Sequence, residues 1–97
     1  MVEIPLTALP NQRFSIVLND QNCICTLRQM GVGLYFSLTC EGEAIFTNLL
    51  CNCDEAMPPF PTSKFRGRFR FLDTKGTEHP EYSGLGDRFI LTYESER

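Results

Sequence analysis

The run KFRGRFRFLD, residues 64–73, changes chemistry at every step. Lys64, Arg66, Arg68 and Arg70 fall on one parity; Phe65, Gly67, Phe69 and Phe71 fall on the other. A period of two is the repeat of a β-strand, whose successive side chains point to opposite faces. In a helix the same residues would be mixed around the circumference. The run therefore predicts a strand with an aromatic face turned into a core and a cationic face turned away from it. Gly67, set among phenylalanines, marks a close approach of another group or a bulge.

The same period recurs along the chain. RFSIVLN sets Phe14, Ile16 and Leu18 against Arg13, Ser15, Val17 and Asn19. CICTLRQ places Cys23, Cys25 and Leu27 on one side, and LYFSLTC places Leu34, Phe36, Leu38 and Cys40 inward. The runs are separated by turn residues: NDQN at 19–22, MGVG with breaks at Gly31 and Gly33, and EGE at 41–43. AIFTNLLC reads as a further strand of undefined length, and DRFILTYE as the last one. The segment DEAMPPFPTS, residues 54–63, carries three prolines in four positions, which removes ladder donors and excludes a central strand. TKGTEHPEYSGLG, residues 74–86, reads as a long loop. Strands spaced about ten residues apart with short polar turns predict a mainly β fold, a small antiparallel β-sandwich or a partly open β-barrel with few or no helices.

A chain of 97 residues is expected to form a single β domain over 1–97, with residues 1–12 as an extended N-terminal arm that pairs within its own sheet or adds an edge to a neighbour. No basic leader with an apolar run opens the chain, and no window approaches the roughly 18 apolar residues of a membrane span. The expectation is a protein made in the cytosol, where thiols stay reduced.

Five cysteines, four of them in the Cys-x-Cys pairs 23/25 and 51/53, raise the question of a metal site or disulfides. An odd count fits a closed disulfide framework poorly. Zinc knuckles space their thiolates two to four residues apart on a tight turn, whereas Cys-x-Cys within a strand points both thiols the same way. Cys23 and Cys25 are therefore read as core packing, with a four-thiolate site from Cys23, Cys25, Cys51 and Cys53 as the alternative. The sole histidine, His79, lies in a loop before Pro80 with no nucleophile signature around any cysteine. No catalytic residues and no cofactor are expected, and no small-molecule substrate or membrane partner.

The net charge of −3 points to no partner by itself, yet four of the nine basic residues sit within the one strand at 64–70. Solvation of that face is the plain reading. Nucleic-acid binding would use the stripe for phosphates, but phenylalanines facing away from the arginines cannot form a stacking platform beside them. Docking against an acidic protein surface, with arginine–carboxylate pairing, is the preferred functional reading. The candidate contact residues are Lys64, Arg66, Arg68 and Arg70, with Pro59, Phe60, His79 and Tyr82 from the loops.

The order of short motifs along the chain carries a resemblance. Ile4-Pro5-Leu6, Pro10-Asn11-Gln12 and the strand from Phe14 come first, then LYFSLTCEGEAIFTNLLC, then Gly76, Pro80, Leu85-Gly86 and Leu91-x-Tyr93. This arrangement resembles the plug-type baseplate components of contractile-tailed bacteriophages over nearly the whole chain. Leu34 stands where that family often has a tryptophan before its tyrosine, and the cysteines and the proline cluster are this chain's own. The resemblance implies a non-enzymatic structural subunit of a phage or prophage tail baseplate, in the plug or hub region. It would be held by contacts with hub and tube-end proteins, located in the virion tail baseplate and in the host cytoplasm during assembly. The runner-up is a small β-barrel module that binds nucleic acid or metal.

Overall fold

A computed structural model describes residues 2–59 and 65–95. Its strands are β1 (Val2–Ile4), β2 (Asn11–Leu18), β3 (Gln21–Met30), β4 (Gly33–Cys40), β5 (Glu43–Leu50), β6 (Gly67–Asp73) and β7 (Phe89–Ser95), with one short 3-10 turn at Tyr82–Gly84. They form two antiparallel sheets in the orders β2-β3-β4-β5 and β1-β7-β6. Among the described residues no closed barrel forms, and the two antiparallel sheets are consistent with the small β-sandwich expected.

The first sheet is a meander because each connection is a two-residue hairpin turn. Asn19 and Asp20 both have positive φ (53° and 60°), as do Glu41 and Gly42 (51° and 81°). Such turns match the twist of the flanking strands. At the middle hairpin the turn is Gly31–Val32, and Gly33, expected as a break, already pairs with Met30 as the first residue of β4. β5 is less regular. Its register against β4 slips between Phe36 and Leu38 and again between Leu38 and Thr39. Asn48, at φ 49°, sits within the first slip and donates its N–H to Ser37 Oγ at 2.8 Å.

The inward parities meet between the sheets. Cys23, Cys25, Leu27, Leu34, Phe36 and Leu38 from the first sheet are fully buried, as are Phe69, Phe71 and Leu91 from the second. The Phe36 ring meets Phe69 edge-on at 5.1 Å, joining the two layers, and Phe65 stacks on Phe69 at 5.8 Å. Gly67 lies under the Tyr93 ring, where a Cβ atom would overlap that side chain. This is the close approach that the glycine signalled.

Beyond β5 the chain changes sheets. Cys51 N–H still donates to Leu34 O at 2.9 Å; Asp54 N–H then donates to Phe71 O at 2.7 Å, and Met57 and Phe69 exchange N–H···O bonds of 2.8 Å each. The proline-rich segment thus covers the outer edge of β6 without joining the sheet as a strand, and it buries Met57 and Pro58 while Pro59 stays exposed. At the N-terminus, Val2–Ile4 pairs with β7 of the same chain, Ile4 is buried, and Asn11 already belongs to β2.

Candidate functional site

β6 presents its basic residues away from the core, as its alternation requires. Within the strand Arg68 is half-buried and Arg70 exposed, with Phe69 and Phe71 buried on the other side; Phe65, buried, and Arg66, exposed, precede the strand, which begins at Gly67, later than the alternation predicted. No aromatic ring of this strand is therefore offered beside the arginines. Register with β7 sets Arg68 opposite Glu94 and Arg70 opposite Thr92, whose hydroxyl donates to Arg70 O at 3.1 Å. Arg70 also donates to Asp54 O at 2.8 Å and forms an ion pair with the Asp54 carboxylate at 3.5 Å. At the other end of the stripe, Asn19 Nδ2 donates to Arg66 O at 2.6 Å. Two of the expected contact residues, Phe60 and Lys64, lie outside the described residues.

The loop residues join this stripe at one end. His79 Nδ1 accepts the N–H of Cys53 at 3.0 Å, one residue before the Asp54 that holds Arg70. Tyr82 N–H donates to Gln29 Oε1 at 3.1 Å, which docks the 3-10 turn onto the end of β3. His79 and Tyr82 share a 330 Å³ depression with Gln29 and Val32. Arg70, His79 and Tyr82 are thus brought into one neighbourhood, and Arg66 is not.

Next to that depression lies a surface that the sequence reading missed. Val32 is wholly exposed at the hairpin tip, and Met30 and Leu50 are 43% and 44% exposed. Together with Tyr35 and Pro80 they line an adjoining pocket of 250 Å³. The available signal was an aliphatic side chain in a two-residue turn, a place where polar residues usually stand. Arg13 and Arg28 were missed as well. They belong to neighbouring strands on the outer side of the first sheet and line a 260 Å³ groove with Asn11 and Thr26. Only the strand register brings them together.

The loop at 74–86 is held by a charged knot. Arg88 makes a two-point contact with Asp73 at 2.8 and 2.9 Å, and the same carboxylate accepts the N–H groups of Lys75 and Glu78 at 2.9 Å each. The Asp73 side chain has no solvent exposure. Its carboxyl is held well below the usual carboxylate range, first by the Arg88 guanidinium and then by the two backbone donors, against an opposing effect of desolvation. Arg88 also reaches Glu78 at 3.2 Å and lies over the Phe89 ring. These groups satisfy one another and position the loop that carries His79 and Tyr82.

The cysteines fall into a different pattern from the two Cys-x-Cys pairs. Cys23, Cys25, Cys40 and Cys51 are buried and Cys53 is half-buried. Cys23 and Cys25 pack beside Leu27 as the strand parity predicts. Cys40, the residue outside both pairs, faces Cys23 across β3 and β4 with the sulfurs 2.9 Å apart. Burial pushes the Cys51 thiol up to about 12; burial and the adjacent Cys23 do the same to Cys25. Among the described residues no three His, Cys, Asp or Glu side chains converge as metal ligands.

The arrangement is an outward basic strand beside an apolar hairpin tip, with the Asp73–Arg88 knot fastening the loop between them. No curated protein matches the chain. The family described as cyanophage baseplate Pam3 plug gp18 matches residues 1–96. The chain belongs to that family of baseplate plugs and is a structural subunit of a phage tail baseplate, where it interacts with other baseplate proteins.

Proposed function

We propose that this plug subunit works by fit against its neighbours and carries no catalysis or cofactor. Arg66, Arg68 and Arg70 form the charged part of the contact, with Lys64 continuing the strand parity. Tyr82, His79, Pro59 and Phe60 supply the loop part. The neighbours are the hub and the end of the tail tube, and assembly takes place in the host cytoplasm. The observation that carries this reading is the segregation on β6: its phenylalanines are spent on the core, so the outward residues are left with charge alone. Guanidinium groups held on a strand recognise carboxylates through paired N–H donors, which suits an acidic protein surface.

The test is the double substitution Arg66→Glu with Arg68→Glu. Far-UV circular dichroism should stay unchanged. A small loss of stability is expected because residue 68 then faces Glu94, and like charges directly opposite on neighbouring strands repel. Incorporation into baseplates, read by particle composition after complementation, should fail. Normal incorporation of a folded double variant would sink the proposal.

A further inference from the structure

The Cys23–Cys40 pair has a geometry that packing alone does not require. Cys23 and Cys40 are cross-strand partners in the β3–β4 ladder. Glu41 N–H donates to Asn22 O at 3.0 Å, so the neighbouring pair 22/41 is the hydrogen-bonded one. Hydrogen-bonded and non-hydrogen-bonded pairs alternate in an antiparallel ladder, which makes 23/40 a non-hydrogen-bonded pair. In such pairs the Cα atoms stand about 4.5 Å apart with the side chains close, and a disulfide accepts separations from about 4.4 Å. The two sulfurs are already 2.9 Å apart, on the same inward face. The neighbouring Cys-x-Cys pair does not qualify. Cys23 and Cys25, two positions apart on one extended strand, have Cα atoms about 6.6 Å apart and side chains that run side by side.

We propose that Cys23 and Cys40 are an oxidation site, forming one intramolecular disulfide between β3 and β4 when the protein meets a low-molecular-weight peroxide. One thiolate attacks the peroxide oxygen, giving a sulfenic acid and releasing water once protonated. The second thiol then displaces the sulfenic oxygen as a second water, and the S–S bond forms. Two thiols lose two electrons and two protons, and one hydrogen peroxide becomes two waters. Burial slows the first step, because the thiolate is the reacting species and the Cys40 thiol is held well above its ordinary range by burial and by the Cys23 sulfur beside it. Cys40 is the accessible member of the pair. It is 3% exposed against 0% for Cys23, and it adjoins the Glu41–Gly42 turn at the end of the sheet. The bond would close a loop through the Gly31–Val32 hairpin and tie together the two central strands of the first sheet. Joined to the proposed assembly in a reducing cytoplasm, this gives a subunit that folds with free thiols and is stapled after the particle leaves the cell. That consequence rests on the functional reading, whereas the oxidation itself does not.

The experiment uses the purified full chain and its Cys53→Ser variant, which removes the half-buried competing thiol. Each is treated with hydrogen peroxide at mildly alkaline pH, unfolded in the presence of an alkylating agent, and mapped by mass spectrometry without reduction. The expected result, in both proteins, is loss of two hydrogens and a peptide joining Cys23 to Cys40, with a Tm several degrees higher than that of the reduced protein. Adding a dithiol reductant should reverse both changes. Full alkylation of Cys23 and Cys40 after peroxide, a cross-link joining any other pair, or a joined pair that lowers Tm would each overturn the proposal. Because the readout needs no baseplate, its failure would leave the assembly reading standing, and failed assembly would leave the oxidation site standing.

Discussion

Replacing Gly67 with alanine would drive a methyl group into the Tyr93 ring, which is itself packed against both Phe65 and Phe69. Over-filling a packed core costs about 1–3 kcal/mol, so the unfolding free energy from urea titration should fall by that amount, seen as a lower midpoint with the slope unchanged. The local run showed that something had to come close at Gly67, but Tyr93 is 26 residues further on. Asp73 makes a prediction in pH. Its carboxyl titrates below the ordinary value in the folded protein, because of Arg88 above all. Its contribution to stability is therefore complete above the unfolded-state pKa of about 3.9 and fades as pH falls below it toward the folded value. Unfolding curves of wild type and Asp73→Asn should differ most near neutrality and converge toward pH 2. Equal differences at all pH values would show that the ion pair is not responsible. Among the thiols, the half-buried Cys53 should be the one that a mild alkylating reagent modifies in the native protein, with all five modified after unfolding.

At the scale of elements, the hairpins were legible because turn chemistry is local. Asn-Asp and Glu-Gly turns between alternating runs specify tight connections, and the alternation then sets which face is buried. β5 was not legible in the same way. Its two slips against β4 let Thr47 and Asn48 loop outward while Phe46 and Leu49 still reach the core, which breaks the period that would have located its end. Asn48 occupies left-handed backbone, which an L-residue adopts at a cost of about 1–2 kcal/mol unless it is glycine or asparagine. Asn48→Val should accordingly destabilise by about that much by chemical denaturation, and Asn48→Gly should be close to neutral. The β3–β4 tip makes the complementary prediction. Val32 has no packing to lose, so Val32→Asp should leave the unfolding free energy within about 0.5 kcal/mol of wild type. If this tip is part of the contact, the same change should reduce incorporation into baseplates; normal incorporation would remove the hairpin tip from the interface.

The molecule as a whole is held by the meeting of two faces that the chain builds separately. Phe36 belongs to the meander and Phe69 to the later sheet, and their edge-on contact lies where the layers join. Truncating either to alanine should cost about 3–5 kcal/mol. The double variant should lose less than the sum, because the two rings fill one shared space; strict additivity in a double-mutant cycle would mean that the layers do not depend on this contact. The sequence by itself determined the strand faces, the hairpin turns, the exclusion of residues 54–63 from a central strand and the outward side of the basic residues, since each depends on a period of two or on backbone preferences within a few residues. Tertiary structure alone decided that the sheets remain a sandwich and that Met57 seals the edge of β6. It also decided that Arg70 reaches His79 through Asp54 and Cys53, and that Cys23 faces Cys40 and not a neighbour in its own Cys-x-Cys motif. These outcomes depend on which strands pair and in what register. Register is settled by burying both inward faces at once, a condition that no single segment of the chain contains.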